Sequence, residues 1–320
     1  MLTSSYPDTG VGRMNDRSPR WMALVVVSGL AAAALAGCGG GDPPDGVDGD
    51  LAGGWAGFTE PVPFRPEAPA CHLDGFAPAA PLAGYQPVGC DESHLVETVH
   101  VGSFEDEAAE LDAPPAPDSS EQRTAYRECE KQVEEYLGAD FRQGRLWLGV
   151  ATPSEPGWQG GARWFRCDLM EVESVYGDPV ARESSLSGTL ADDSPLRLGC
   201  YTVAVEDGQV EKMSPVACDE THEAEYVGAW RAEDGDYPDP ADEDSEALVY
   251  EGCRQRVADY ASVPNDGDLV YRTGTIADWM SRPDWEAGDR AFRCYLWLPD
   301  RELTGSLREA GTEALPVQTE

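Results

Sequence analysis

Basic residues are scarce in this 320-residue chain: 23 Lys and Arg stand against 60 Asp and Glu, a formal net charge of −37. Such acidity repels the phosphate backbones of DNA and RNA and excludes nucleic acid as a partner. Histidine is scarcer still, with four residues: His72, His94, His100 and His222. No C-x-x-C, G-x-S-x-G, H-E-x-x-H, phosphate-binding loop or dinucleotide fingerprint occurs. The usual signatures of thiol exchange, serine hydrolysis, zinc proteolysis and nucleotide chemistry are therefore missing. What is present suffices for compact cores, because 41% of the residues are hydrophobic and 9% aromatic. The length suits two domains of ordinary size, and the acidity reads first as a solvated surface.

The amino terminus reads as an export address. Arg13, Arg17 and Arg20 precede an uncharged apolar run from Trp21 to Ala36. That run is shorter than the ~20 residues a spanning helix needs, and Gly, Asp and Pro follow it instead of a basic stop-transfer cluster. Leu35, Ala36, Gly37 and Cys38 resemble the lipobox of bacterial prolipoproteins. The resemblance implies a signal peptide over 1–37, cleavage before Cys38 and a diacylglyceryl thioether on its sulfur. Two acyl chains, at about 0.8 kcal/mol per buried methylene, hold a protein on membrane lipid where one does not. Residues 38–64 are rich in Gly, Asp and Pro and read as a tether.

Eight cysteines remain after Cys38: Cys71, Cys90, Cys129 and Cys167, then Cys200, Cys218, Cys253 and Cys294. Their internal gaps are 19, 39 and 38 residues in the first set and 18, 35 and 41 in the second. In an exported chain such a set is a disulfide framework. The neighbours repeat too. Pro87, Val88, Cys90, Asp91, Glu92, His94 and Glu97 return 128 positions later as Pro215, Val216, Cys218, Asp219, Glu220, His222 and Glu225. Cys129, Val133 and Tyr136 return as Cys253, Val257 and Tyr260, and Pro156, Trp158, Gly161, Arg163, Phe165, Arg166 and Cys167 return as Pro283, Trp285, Gly288, Arg290, Phe292, Arg293 and Cys294. Two tandem repeats follow, 65–176 and 193–304, with 177–192 as linker and 305–320 as tail.

Tyr126, Cys129, Val133 and Leu137 fall at helical steps, as do Val249, Cys253, Val257 and Tyr260, which predicts one helix per repeat. Short β-rich runs surround them at 95–101, 145–151 and 163–170, then at 198–205, 223–230, 269–273 and 290–298. The expected class is α+β: two small disulfide-stapled domains, each one helix on a short antiparallel sheet. The acidic, proline-bearing inserts 105–118 and 233–246 read as exposed loops. Four cysteines permit three pairings, and the expectation adopted joins first to fourth and second to third within each repeat.

Asp91, His94 and Glu97, with Asp219, His222 and Glu225, form the tempting constellation, since carboxylates and an imidazole so close together suit zinc or acid–base work. An Asp after a cysteine in a Pro-containing turn more often bonds to nearby backbone amides, with the His completing the turn. On a strand, His94 and Glu97 would lie on opposite faces. The reading is therefore turn formation with partner contact as the functional option, no metal, no cofactor and no catalytic residue. Trp158 and Trp285 invite sugar stacking but read more simply as covering tryptophans, with a partner-contact role held open. Arg166 and Arg293 are expected to pair with local carboxylates.

Together the C-D-x-x-H-x-x-E blocks (Cys90 to Glu97, Cys218 to Glu225), the helices centred on Cys129 and Cys253, and the W-x-x-G-x-R-x-x-x-C endings (Trp158 to Cys167, Trp285 to Cys294) resemble the septum formation family of actinobacterial lipoproteins. The resemblance covers most of Cys71 to Leu298. It implies a part in division-site or cell-envelope organisation without a defined catalytic activity or ligand, and the first hypothesis is a non-enzymatic binding or scaffold module on the extracytoplasmic face of the cell membrane, with an envelope or division protein or wall polymer as partner. It supplies no active-site residues. The alternatives are a metal-dependent envelope enzyme using the Asp/His/Glu blocks and a glycan-binding module that displays Trp158 or Trp285.

Overall fold

The computed structural model describes residues 62–174, 177–191, 193–206, 208–299 and 301–318. The expected signal peptide, Cys38 and nearly all of the tether lie outside them. The first half of the chain runs β1 (Ala70–His72), β2 (Ala79–Ala80), β3 (Pro87–Val88), β4 (Val96–Ser103), α1 (Asp106–Ala109), α2 (Ser120–Leu137), β5 (Leu146–Pro153), α3 (Glu155–Gln159) and β6 (Trp164–Glu171). The second runs β7 (Cys200–Glu206), β8 (Gln209–Val216), β9 (Ala224–Arg231), α4 (Glu243–Ala261), β10 (Gly274–Asp278), α5 (Arg282–Ala287), β11 (Ala291–Trp297) and α6 (Gly311–Ala314). The fold is α+β, with two sheets and four disulfides.

The long helices form where the periodicity places them. Ser119 caps α2 by accepting from the amide of Gln122, and Gly138, at φ +87°, ends it in the left-handed conformation that glycine adopts without a Cβ penalty. Its buried face carries Ala125, Tyr126, Cys129, Val133 and Leu137. Asp242 caps α4 by accepting from the amide of Ser245, and Val249, Gly252, Cys253, Val257 and Ala261 turn inward. Gly252 is required by close approach, because a Cβ there would lie 2.1 Å from the Trp230 ring.

Both sheets use one strand order. The first reads β2-β5-β6-β4-β1-β3 and the second β10-β11-β9-β7-β8, so among the described residues β2 is the only addition. Even the irregularities correspond. The register slips at Val99 in β4, between Thr98 and His100, and at Val227 in β9, between Tyr226 and Gly228. Helix α2 covers β4, β5 and β6, and α4 covers β9, β10 and β11. Val62–Glu320 forms one compact unit.

The disulfides correct the expected pairing. Cys71 bonds Cys90, Cys129 bonds Cys167, Cys200 bonds Cys218 and Cys253 bonds Cys294, which is first to second and third to fourth. Strand order explains why. β4 lies between β1 and β6, so Cys71 and Cys167 sit two strand spacings apart, roughly 9–10 Å, beyond the reach of one disulfide. Cys129 on the inner face of α2 instead meets Cys167 with the Cα atoms 5.3 Å apart. Run 269–273 is also corrected: Leu269–Tyr271 is a tight helical turn, and the strand begins at Gly274. Segment 177–192, expected to link, supplies Leu186 and Leu190 to the first core, and the expected tail supplies Leu307 and Leu315 to the second.

Candidate functional site

The repeated Asp/His/Glu block builds one polar node in each half. In the first, the amide of Glu92 donates to the Gly89 carbonyl at 2.9 Å, which closes the turn, and His94 Nδ1 lies 2.8 Å from the Glu92 carbonyl. The His94 backbone forms a two-bond bridge with Arg182. Glu97, one residue into β4 and 1% exposed, accepts from the Tyr136 hydroxyl on α2, from Ser185 Oγ at 2.7 Å and from the Leu186 amide at 2.7 Å. The second node repeats this with His222 Nδ1 at 2.8 Å from the Glu220 carbonyl and a backbone bridge to Leu303. There Glu225 accepts from Tyr260 at 2.6 Å, Ser306 at 2.9 Å and the Leu307 amide at 2.8 Å. Each carboxylate thus pins a helix and a carboxy-terminal loop to the sheet. Burial, helped by the hydrogen bond to the glutamate, pushes the Tyr136 and Tyr260 hydroxyls up to about 12.

His222 Nε2 lies 3.3 Å from Glu225 Oε1, so the pair shares one side despite its spacing of three. Opposite faces required the histidine to lie on the strand, and that condition is not met: β4 begins at Val96, after His94, and β9 at Ala224, after His222. His94 Nε2, the equivalent atom, is buried without a hydrogen-bond partner among the described residues.

Metal-capable atoms do converge here: Cys71, Cys90 and Glu97 lie within 4.8 Å of one another, as do Cys200, His222 and Glu225. The chemistry of the set argues against a metal. The sulfurs are in disulfides, so no thiolate is on offer, and each glutamate carboxylate already accepts from three donors. The nodes fit an anchoring role.

The W-x-x-G-x-R block is a second repeated device. Arg163 stacks over Trp158 at 4.1 Å and donates to its carbonyl at 2.7 Å, and Arg290 does the same on Trp285 with a stacking distance of 4.1 Å. Each tryptophan indole then reaches into the acidic insert: Trp158 Nε1 donates to Leu111 at 2.7 Å and Trp285 Nε1 to Gly235 at 3.2 Å. The inserts are thus exposed along much of their length but latched.

Burial corrects the partner-contact expectation. His94, Glu97, His222, Glu225, Trp158 and Trp285 are all buried and cannot present a surface; only Asp91 and Asp219 stay near solvent. The glycan reading needs an exposed Trp158 or Trp285, and neither is exposed.

The halves differ on the sheet face opposite the helix. In the first, His72 Nε2 lies 3.0 Å from Thr98 Oγ1, which donates to Asp168 at 2.8 Å, while Arg166 pairs with Asp168 at 2.7 Å. Burial, then the nearby Arg166, lowers the His72 pKa to about 4, and burial raises that of Asp168. In the second half the equivalent positions hold Tyr201, Tyr226 and Tyr295, packed edge to face. Arg166 meets the expectation of a local carboxylate; Arg293 donates across the junction, at 3.1 Å each, to the carbonyls of Arg142 and Leu146.

Sequence reasoning missed the junction itself. Arg142, 2% exposed, sits among Glu130, Asp140 at 3.2 Å and Asp289 at 2.5 Å. Trp147 Nε1 donates to Asp284 at 3.1 Å beside it. Ser185 and Ser306 were also missed, though a Ser-Leu pair follows each repeat, at 185–186 and 306–307, and could have signalled them. An open cleft of about 440 Å³ is lined by Arg145, Glu171, Arg182, Thr189, Asp193 and Leu196, with Glu171 accepting from both arginines. Among the described residues no helix is long and apolar enough to cross a membrane.

A family model described as septum formation matches the chain over residues 69–294. No curated protein and no solved structure matches the chain.

Proposed function

Since the chain belongs to the septum formation family, we propose that it is a non-enzymatic scaffold or binding body of the cell envelope with a role in septum formation. Two tandem disulfide-stapled modules form its folded part. An acylated Cys38 holds it at the extracytoplasmic face of the membrane, and its partner is an envelope or division protein or a wall polymer. The observation that carries this reading is the use made of the repeated polar residues. Their carboxylates, imidazoles and indoles are spent on fixing helix, sheet and loop, which leaves recognition to the surface.

Crosslinking of the full chain in intact cells, with identification of the captured molecules, tests the reading. Capture of division or wall components by the wild type, and loss of membrane retention and of that capture in Cys38→Ala, is the expected result. A purified chain that turns over an envelope substrate, with the activity abolished in His94→Ala/His222→Ala, would sink it.

A further inference from the structure

Where the two halves meet, the charge balance inverts in one small groove. About 150 Å³ in volume, it is lined by Arg123, Arg127, Arg231 and Arg290, with Asp234 the single acid among the lining residues. In a chain of net charge −37 such a collection of like charge is out of proportion. Arg123 and Arg127 stand one turn apart on α2, in the first half; Arg231 ends β9 and Arg290 precedes β11, in the second. The groove therefore exists once, assembled from both halves.

Arg290 is its fixed element. It is 5% exposed, stacked on Trp285 and bonded through Nε to Asp234 at 3.1 Å. Arg127 and Arg231 are half exposed, at 53% and 47%. Their carboxylate partners are few: Arg127 reaches the same Asp234 at 3.4 Å, and Arg231 reaches Glu130, which Arg142 already uses. The contrast with Arg142 is informative, because that single guanidinium at the same junction faces three carboxylates. Here four guanidiniums line the groove against one lining carboxylate, 63% exposed, which only Arg127 and Arg290 reach, while Arg231 turns to Glu130 and Arg123 donates to the Asp118 carbonyl. Burial lowers the Arg290 pKa, with Asp234 opposing and Arg123 adding to the fall.

We propose that this groove binds a single phosphate group, with Asp234 as the internal carboxylate that occupies it in competition. Guanidinium forks suit phosphate oxygens, and donors converging from four side chains serve a tetrahedral anion better than a planar carboxylate. The volume admits one such group, and the surrounding acidity rejects extended polyanions. The source is either a phospholipid headgroup or free phosphate, which the test separates. The site stands apart from the scaffold reading, and either can fail alone.

Isothermal titration of the full chain in neutral detergent and phosphate-free buffer provides the test, with inorganic phosphate, glycerophosphoglycerol and acetate as probes. The wild type is expected to bind phosphate at one site, at least 10-fold more tightly than acetate. Arg127→Ala/Arg231→Ala should lose at least 10-fold, and Asp234→Ala should gain several-fold, a gain that misfolding cannot mimic. Glycerophosphoglycerol bound as well as phosphate assigns the site to an esterified headgroup; phosphate alone assigns it to the free anion. Saturable binding of neither probe by wild type or Asp234→Ala overturns the proposal. So does unchanged affinity in the double arginine variant, or acetate bound as tightly as phosphate.

Discussion

Glu225→Ala removes the acceptor that holds Tyr260, Ser306 and the Leu307 amide and faces His222 Nε2 at 3.3 Å, and a lower bound on its cost can be built from the first three. The Leu307 amide is buried and loses a charge-assisted bond of 2.8 Å with nothing to replace it, about 2 kcal/mol. Tyr260 and Ser306 are part-buried, bond at 2.6 and 2.9 Å, and can turn partly to water, so roughly 1 kcal/mol each is reasonable. The sum, about 4 kcal/mol, is a large share of the ~5–15 kcal/mol that ordinarily separates folded from unfolded chains. Glu225→Gln keeps one carbonyl oxygen for Leu307, and the hydroxyls of Tyr260 and Ser306 can reverse to accept from its amide, so about 2 kcal/mol is expected. Urea unfolding at neutral pH with disulfides intact measures both, and amide exchange at Leu307 should accelerate in the alanine variant. A loss below 1 kcal/mol for Glu225→Ala, with the Leu307 amide still protected, would show that the node does not anchor the loop and would remove the main support for a structural reading of the motif.

Other expectations can be checked more briefly. Non-reducing peptide mapping should recover Cys71–Cys90, Cys129–Cys167, Cys200–Cys218 and Cys253–Cys294; any peptide joining Cys71 to Cys167 would contradict the strand order. Replacing Cys129 and Cys167 by alanine opens a 38-residue separation and should cost about 4 kcal/mol on the chain-entropy account, against about 3 kcal/mol for the 19-residue Cys71–Cys90 loop, as read by thermal or urea unfolding. Arg142→Ala leaves Asp289 and Glu130 without their buried cation and should cost about 3–5 kcal/mol, with part recovered in Arg142→Ala/Asp289→Asn. His72 is neutral in the fold down to about pH 4 but takes a proton near 6.5 when unfolded, so its contribution is present above pH 6.5 and is lost as pH falls toward 4. His72→Gln should flatten the stability curve in that window, and an unchanged slope would place the acid sensitivity elsewhere.

The repeated polar and cysteine blocks and the two long helices were legible because cysteine spacing and the steps of three and four carry that information directly. Residues such as Cys129 and Val133 could face only one way on a helix. Strand order carries no such local mark, which is why the disulfide pairing was misjudged: nothing near Cys71 announces that β4 separates it from Cys167. β8 went unread because both of its faces meet solvent in part and its side chains do not alternate cleanly. Leu269, Val270 and Tyr271 mimic a strand in composition, yet only Leu269 is buried while Val270 and Tyr271 stay exposed. The polar motif misled in another way. Charged side chains read as surface by default, and burial of Glu97 and Glu225 depends on donors from Tyr, Ser and backbone amides up to 89 positions away in sequence.

The repeat also separates two kinds of residue by what each can be for. A side chain that recurs at the equivalent place and makes the same contacts in both halves serves something both halves have, and the nodes show this to be the fold: glutamate on tyrosine and serine, arginine on tryptophan, cysteine from helix to strand, whereas Arg166 and Arg293 recur but differ in their partners. A side chain present in one half alone cannot be required by the shared architecture, since the other half folds without it. Two places hold such residues. One is the outer sheet face, polar around Asp168 and aromatic around Tyr226. The other is the junction, where Arg142, Asp289, Arg127 and Arg231 join segments that neither repeat could bring together alone. The residues of the two polar nodes are thus poor candidates for specificity in this chain, and the junction, where the motif arginines Arg290 and Arg293 also take part, is the better place to look for what distinguishes it.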